Sequence, residues 1–205
     1  MERERKSIDK LLVIAPGGVY GILSVIARIF CDFLAYLFFP GYNIFDNMVS
    51  DLGIGGPGAI FFSLGLLISG ILSIPFYVTL ARSLRSDEAN EKMRKAALKF
   101  FYISDITYIL LGVFPSIEEN FIIYFAHGTL ALISWLTGVV YLILFSYLML
   151  KDSKYSTLPA YSGFFLIGFV FIFILTWIPF FEWVMTFGWM FWVMYISIYL
   201  LYHKL

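Results

Sequence analysis

The sequence predicts an all-α integral membrane protein: one bundle of six transmembrane helices over residues 1–205, with both termini cytoplasmic. Three observations predict it. Hydrophobic residues make up 61% of the 205 and charged residues only 14%, well away from the roughly even apolar share and roughly one-quarter charged share of a soluble domain. Six runs approach or exceed the roughly 20 apolar residues a helix needs to cross the hydrocarbon layer. The basic residues then fall on one side of those runs.

The spans are expected at 12–39, 58–81, 97–114, 121–150, 160–178 and 183–202. The chain opens on "MERERKSIDK", mixed in charge and followed by an apolar run too long for a cleavable signal, so a cytoplasmic start is expected. Span 1 follows, and with span 4 it is long enough to tilt or project. Between spans 2 and 3, "RSLRSDEANEKMRKAALK" reads as a polar helical extension. Ser86 is placed to cap it, with Asp87 and Glu88 in its first turn. Glu88 with Lys92, and Glu91 with Lys95, have i,i+4 spacing. A solvated helix end explains this segment, and contact with anionic headgroups is the functional alternative.

Of the 14 Lys and Arg, all but Arg28 lie before span 1, between spans 2 and 3 or at their edges, between spans 4 and 5, or after span 6. Basic loops stay cytoplasmic, so an even span count satisfies every loop and predicts a multi-pass protein of the cell membrane. The three outer connections share a form. Pro40, Pro115 and Pro179 each end an outgoing helix, and Asp46, Glu118 and Glu182 follow them.

Zero formal net charge argues against a nucleic-acid partner. Membrane lipid is the expected partner, with a lipid or small-molecule ligand and an oligomer both compatible. Cys31 is the only cysteine, so no disulfide forms within the chain, and it reads as a small apolar filler. Two histidines, His127 and His203, fall on opposite sides, which excludes a His-rich zinc site. No Gly-x-Ser-x-Gly or His-Glu-x-x-His motif is present. No metal and no cofactor are implied.

The ionisable residues inside the spans are the candidates for function, because lipid rejects lone charges. Arg28 and Asp32 are four apart on one face of span 1, with Ser24 a turn away. They make either a structural ion pair or part of a site. Asp105 has no cation in its own helix, and Arg28 is the cation available to it, while Tyr108 shares its face. Thus Arg28 has two possible partners, Asp32 and Asp105. His127 is either a satisfied hydrogen-bonding residue or a proton relay, and Gly128 beside it suggests close helix approach. Before span 2 lies "NMVSDLGIGGPG", in which Ser50 and Asp51 stand outside the helix and Pro57 fits its first turn. A loop folded back over a pocket suits it better than a bare anion site, which Asp51 would oppose. Arg28, Asp32, Ser50, Asp51, Asp105 and His127 are therefore expected around one chamber in the extracytoplasmic half. Trp177, Trp183, Trp189 and Trp192 suit an interfacial belt and core packing.

The stretches Ser50-Asp51-Leu52-Gly53, Val113-Phe114-Pro115 and His127-Gly128 resemble those of a prokaryotic family known as domain of unknown function 998. The likeness is best over spans 1 to 4 and implies six helices and an outer-side motif, with no settled activity. A more distant similarity is to the Frag/DRAM-type six-span proteins, which carry Ile-Ser-Asp-x-Gly after their first span, where this chain has Val49.

Three functions compete. The first is binding or movement of a lipid headgroup or small polar molecule, with Asp105 or His127 exchanging protons. The second is a membrane-embedded lipid hydrolase or transferase with Asp51, Asp105 and His127 as acid and base and Ser50 as nucleophile. The third is a structural or assembly role in which the charges lock helices. The sequence favours a protein that is not an enzyme.

Overall fold

The computed structural model describes residues 2–54, 56–84 and 88–205. Seven α-helices are present: α1 (Glu2–Ile14), α2 (Gly17–Leu37), α3 (Gly58–Ser83), α4 (Glu88–Leu111), α5 (Phe121–Lys151), α6 (Thr157–Thr176) and α7 (Pro179–Tyr202). A 3-10 turn, Val49–Gly53, precedes α3, and no strand occurs among the described residues.

Five helices, α2, α3, α5, α6 and α7, are long and apolar enough to cross a membrane. Helix α4 falls outside that set because Arg94, Lys95, Lys99 and Asp105 interrupt its apolar run. The expected first span, 12–39, is broken rather than continuous. Its first turn belongs to α1, and α2 begins after Pro16. Proline has no N–H for the helix ladder and disfavours helical geometry in the residue before it. Helix α1 is tied back by the Arg82–Asp9 ion pair at 2.7 Å and by the Tyr20 hydroxyl, which donates to the Leu11 carbonyl at 2.8 Å.

Helices α2 to α7 form a ring in chain order. Each packs on the next, and α7 closes on α2. The polarity of the helices is inverted relative to a soluble bundle. In α2 the outward residues are Leu23, Ile26, Phe30, Phe33 and Leu37, while Ser24, Arg28, Asp32 and Ala35 are buried at helical spacing. Such a helix keeps its charges out of lipid only by turning them toward its neighbours. Small residues set the helix approaches: a side chain at Gly21 would meet Phe76 and Ser197, and one at Gly138 would meet Trp189. Gly128 does not act this way. A Cβ there would find open space, because Gly128 is on the outward face of α5, and His127 turns inward.

Two cores fill the ring. The larger gathers Phe76, Leu80, Phe101, Phe145, Met149, Phe173 and Ile196, with Trp192 among them. The smaller lies at the end carrying residues 38–57 and holds Ala35, Val49, Leu52, Phe62, Leu111, Ala131 and Trp183. Of the polar extension before α4, Ser86 and Asp87, and the side chain of Glu88, lie outside the described residues. The Glu91–Lys95 pair forms at 3.4 Å, and Arg94 grips Glu91 as well, which holds the Glu91 carboxyl below its usual range.

Candidate functional site

Between the two cores the ring encloses a polar chamber. Its first wall is the inward seam of α2. Arg28 and Asp32 are 4% and 6% exposed, and the Arg28 Nε donates to Asp32 Oδ2 at 2.8 Å. The i,i+4 spacing lets both side chains meet on one helix face. The guanidinium carbon sits 4.5 Å from the Phe62 ring centroid and 5.8 Å from that of Tyr108. Two polar atoms of the pair, Arg28 Nη1 and Asp32 Oδ1, are buried with no hydrogen-bond partner.

Arg28 therefore pairs with Asp32, not Asp105. The Asp105 carboxylate instead accepts a hydrogen bond from the Ser73 hydroxyl at 2.9 Å across the α3–α4 contact. Gly70 makes that contact close, since a Cβ there would press on Ile109 and lie 3.4 Å from Asp105 Oδ1. Among the described residues, no basic side chain forms an ion pair with Asp105.

The chamber has a volume of about 160 Å³ and draws on five helices, α2, α3, α4, α5 and α7. Arg28 and Asp105 both line it, with Ser24, Ser69, Ser73, Ser104 and Ser134. Hydroxyl contacts knit the walls. Ser104 donates to the Ser134 carbonyl at 2.8 Å, and Ser134 returns a bond to the Ser104 carbonyl at 3.1 Å. The Ser69 and Tyr108 hydroxyls are 3.0 Å apart. Away from Arg28, the indole N–H of Trp189 donates to the Tyr141 hydroxyl at 2.9 Å, which is 3.1 Å from that of Tyr77. These aromatic residues give the chamber an apolar lining with polar edges, as small-molecule sites have.

The loop before α3 folds back over this end of the ring. Val49 and Leu52 of the 3-10 turn are buried in the smaller core. Glu182, in the first turn of α7 and 6% exposed, accepts the Val49 N–H at 2.7 Å. Asp51 accepts the Met48 N–H at 2.9 Å and so closes the turn on itself. Tyr42 donates to the Met48 carbonyl at 2.6 Å and accepts from the Trp183 indole at 3.0 Å. Burial pushes the Tyr42 phenol far up from its ordinary range, so it stays protonated as the donor. His127 secures the neighbouring corner: its Nδ1 is 2.7 Å from the Phe114 carbonyl. A carbonyl only accepts, so the proton sits on Nδ1.

The six expected residues thus divide. Arg28 and Asp105 line the chamber. Asp32 stands behind Arg28. Ser50 and Asp51 belong to the covering turn, and His127 to the α4–α5 corner. No hydrogen bond joins His127 to Ser50 or Asp51. The sequence reading did not include Glu182 in the site, nor the chamber serines and the Tyr77–Tyr141–Trp189 network. One signal was available: Ser69 and Ser73 sit i,i+4 within the apolar middle of α3, as Arg28 and Asp32 do in α2. Among the described residues no group of His, Cys, Asp and Glu has the arrangement to hold a metal ion.

A family model described as "Protein of unknown function (DUF998)" matches residues 22–201. The chain belongs to the DUF998 family. The match starts within α2 and ends within α7, so it covers the residues that build most of the ring in this chain, and α1 lies outside the matched residues. No curated protein matches the chain, and no solved structure matches it.

Proposed function

We propose that this DUF998 member is a six-span protein of the cell membrane, with both termini cytoplasmic, whose chamber lies toward the extracytoplasmic side and binds or moves a lipid headgroup or a small polar molecule. One observation carries the reading: two buried ionisable side chains from different helices, Arg28 and Asp105, face one cavity of about 160 Å³. Purely structural charges are expected to neutralise each other, whereas these line a shared space and Asp105 has no countercharge among the described residues. The one-sided basic loops support the orientation. They also call for α4 as a further span, the third in chain order, with its charged half projecting into the cytoplasm.

The enzyme reading is weaker. A nucleophile and its base need to lie within hydrogen-bond reach. Ser50 sits in the covering turn, and the His127 Nδ1 is held by the Phe114 carbonyl.

Filling the chamber tests the proposal. Ser73→Leu puts a bulky side chain into the cavity beside Asp105. Native mass spectrometry of protein extracted gently from membranes should find a bound small molecule or lipid on the wild type and lose it in Ser73→Leu. An occupant-free wild type, together with a Ser73→Leu variant that melts at higher temperature, would make the chamber a mere packing void.

A further inference from the structure

The chamber holds a buried carboxyl group with no ion-pair partner among the described residues. Arg28 is held by Asp32 through a 2.8 Å ion pair, which leaves Asp105 as the one lining charge without a countercharge among the described residues. A single hydroxyl, that of Ser73, reaches it. A carboxylate buried in this way needs a cation or a proton. The walls around it are unusual as well. Tyr77, Phe101, Tyr108, Trp135, Tyr141 and Trp189 all line the same space. Aromatic faces attract cations, most strongly in desolvated sites, and several rings around one point form the cage that recognises organic ammonium groups. A hydrated metal ion has no use for such walls, and a bare anion would face Asp105 with the Arg28 charge already matched.

From this arrangement we infer that the chamber is a binding site for an organic ammonium group, with Asp105 as its counterion and the aromatic walls as its cage. The inference rests on the proposed function and names the chemical class of its ligand. Size sets the limit. A cavity near 150 Å³ accommodates a molecule of about six non-hydrogen atoms, such as benzene. Ethanolamine, choline and tetramethylammonium fall in that range, and the first two occur both free and as phospholipid headgroups.

Trp135 and Trp189 line the chamber and give an intrinsic reporter. The full chain, in nanodiscs of phosphatidylglycerol alone, is titrated with ethanolamine, with tetramethylammonium, with the uncharged carbon isostere of choline and with inorganic phosphate. Tryptophan fluorescence should change saturably with the two cations and not with the others. Asp105→Asn keeps the shape and an acceptor for Ser73, and should weaken cation binding by roughly 10- to 100-fold, the scale of a hydrogen bond to a charged group. If Asp105→Asn does not fold, Trp189→Leu serves in its place with Trp135 as reporter, and should weaken binding by roughly two- to thirtyfold, the scale of one cation–π contact.

Repeating the titration in nanodiscs containing phosphatidylethanolamine separates the sources. A weaker apparent affinity for free ethanolamine identifies the lipid headgroup as competitor, and an unchanged one identifies the free amine. Equal responses to choline's uncharged isostere, or unaltered cation binding in both variants, would overturn the inference. A response to phosphate alone that Ser73→Leu abolishes would overturn it too, yet leave the proposed function standing. If no probe binds and Ser73→Leu raises the melting temperature, both fall.

Discussion

Removing Asp32 should expose the energetics that hold Arg28 inside the ring. Arg28 is 4% exposed in the wild type, and Asp32→Ala takes away the carboxylate that pairs with it. Breaking one half of a buried pair typically costs about 3–5 kcal/mol, because the remaining charge is uncompensated. The two aromatic faces, at 4.5 and 5.8 Å, flank the guanidinium with or without Asp32, so they leave this difference unchanged. The expected destabilisation is therefore about 3–5 kcal/mol. Replacing both members, Arg28→Met with Asp32→Ala, removes both charges and both orphaned polar atoms. That variant should come back to within about 1 kcal/mol of the wild type. Reversible unfolding in mixed micelles, followed by circular dichroism for the two single variants and the double variant, gives the coupling directly. The reasoning fails if Asp32→Ala costs less than about 1 kcal/mol. It fails equally if the double variant is no more stable than Asp32→Ala.

Two further outcomes are expected. Glu182→Leu leaves the Val49 N–H without its acceptor, so amide exchange over residues 48–53 should speed up by roughly tenfold or more while the helices keep their protection; unchanged exchange there would mean that Glu182 does not hold the turn. In a Cys31→Ala background, a membrane-impermeant thiol reagent applied to intact cells should label Glu118→Cys and not Lys154→Cys, both positions being exposed; the reverse pattern would invert the orientation, and labelling of both would refute the even span count.

Periodicity and charge made much of this protein legible before its structure. The four-residue spacing put Arg28 and Asp32 on one face and left Asp32 and Asp105 as alternative partners, and the structure selects Asp32. Pro179 was expected to close an outgoing helix and instead opens α7, while α2 ends at Leu37 and α4 at Leu111, short of Pro40 and Pro115. The glycine-rich stretch 47–58 was expected to fold back over the pocket; its 3-10 turn packs into the smaller core instead and contributes no residue to the chamber lining. Other features were hidden because they join distant positions. Val49 meets Glu182 across 133 residues, and Trp189 meets Tyr141 across 48. Spacing assigns a residue to a helix face, but the neighbour that face meets depends on the order and rotation of the packed helices. His127 shows the same limit. Its inward direction was readable, whereas its partner, the Phe114 carbonyl, is a backbone atom that no side-chain pattern announces. Pro16 was overlooked because an unbroken apolar run concealed a break in the helix ladder.

Closure of the ring by α7 against α2 has a consequence for synthesis. The seam between Gly18, Gly21, Ser197 and Leu201 joins the earliest helix of the ring to its latest. While the ribosome is still making the middle of the chain, the buried face of α2, with Arg28 and Asp32, lacks the neighbour that will cover one of its sides. Until residues 179–202 leave the translocon, that face must shelter there, against a chaperone, or in a provisional contact with α3. A nascent chain arrested before α7 would offer membrane quality control an arginine and an aspartate as its degradation mark.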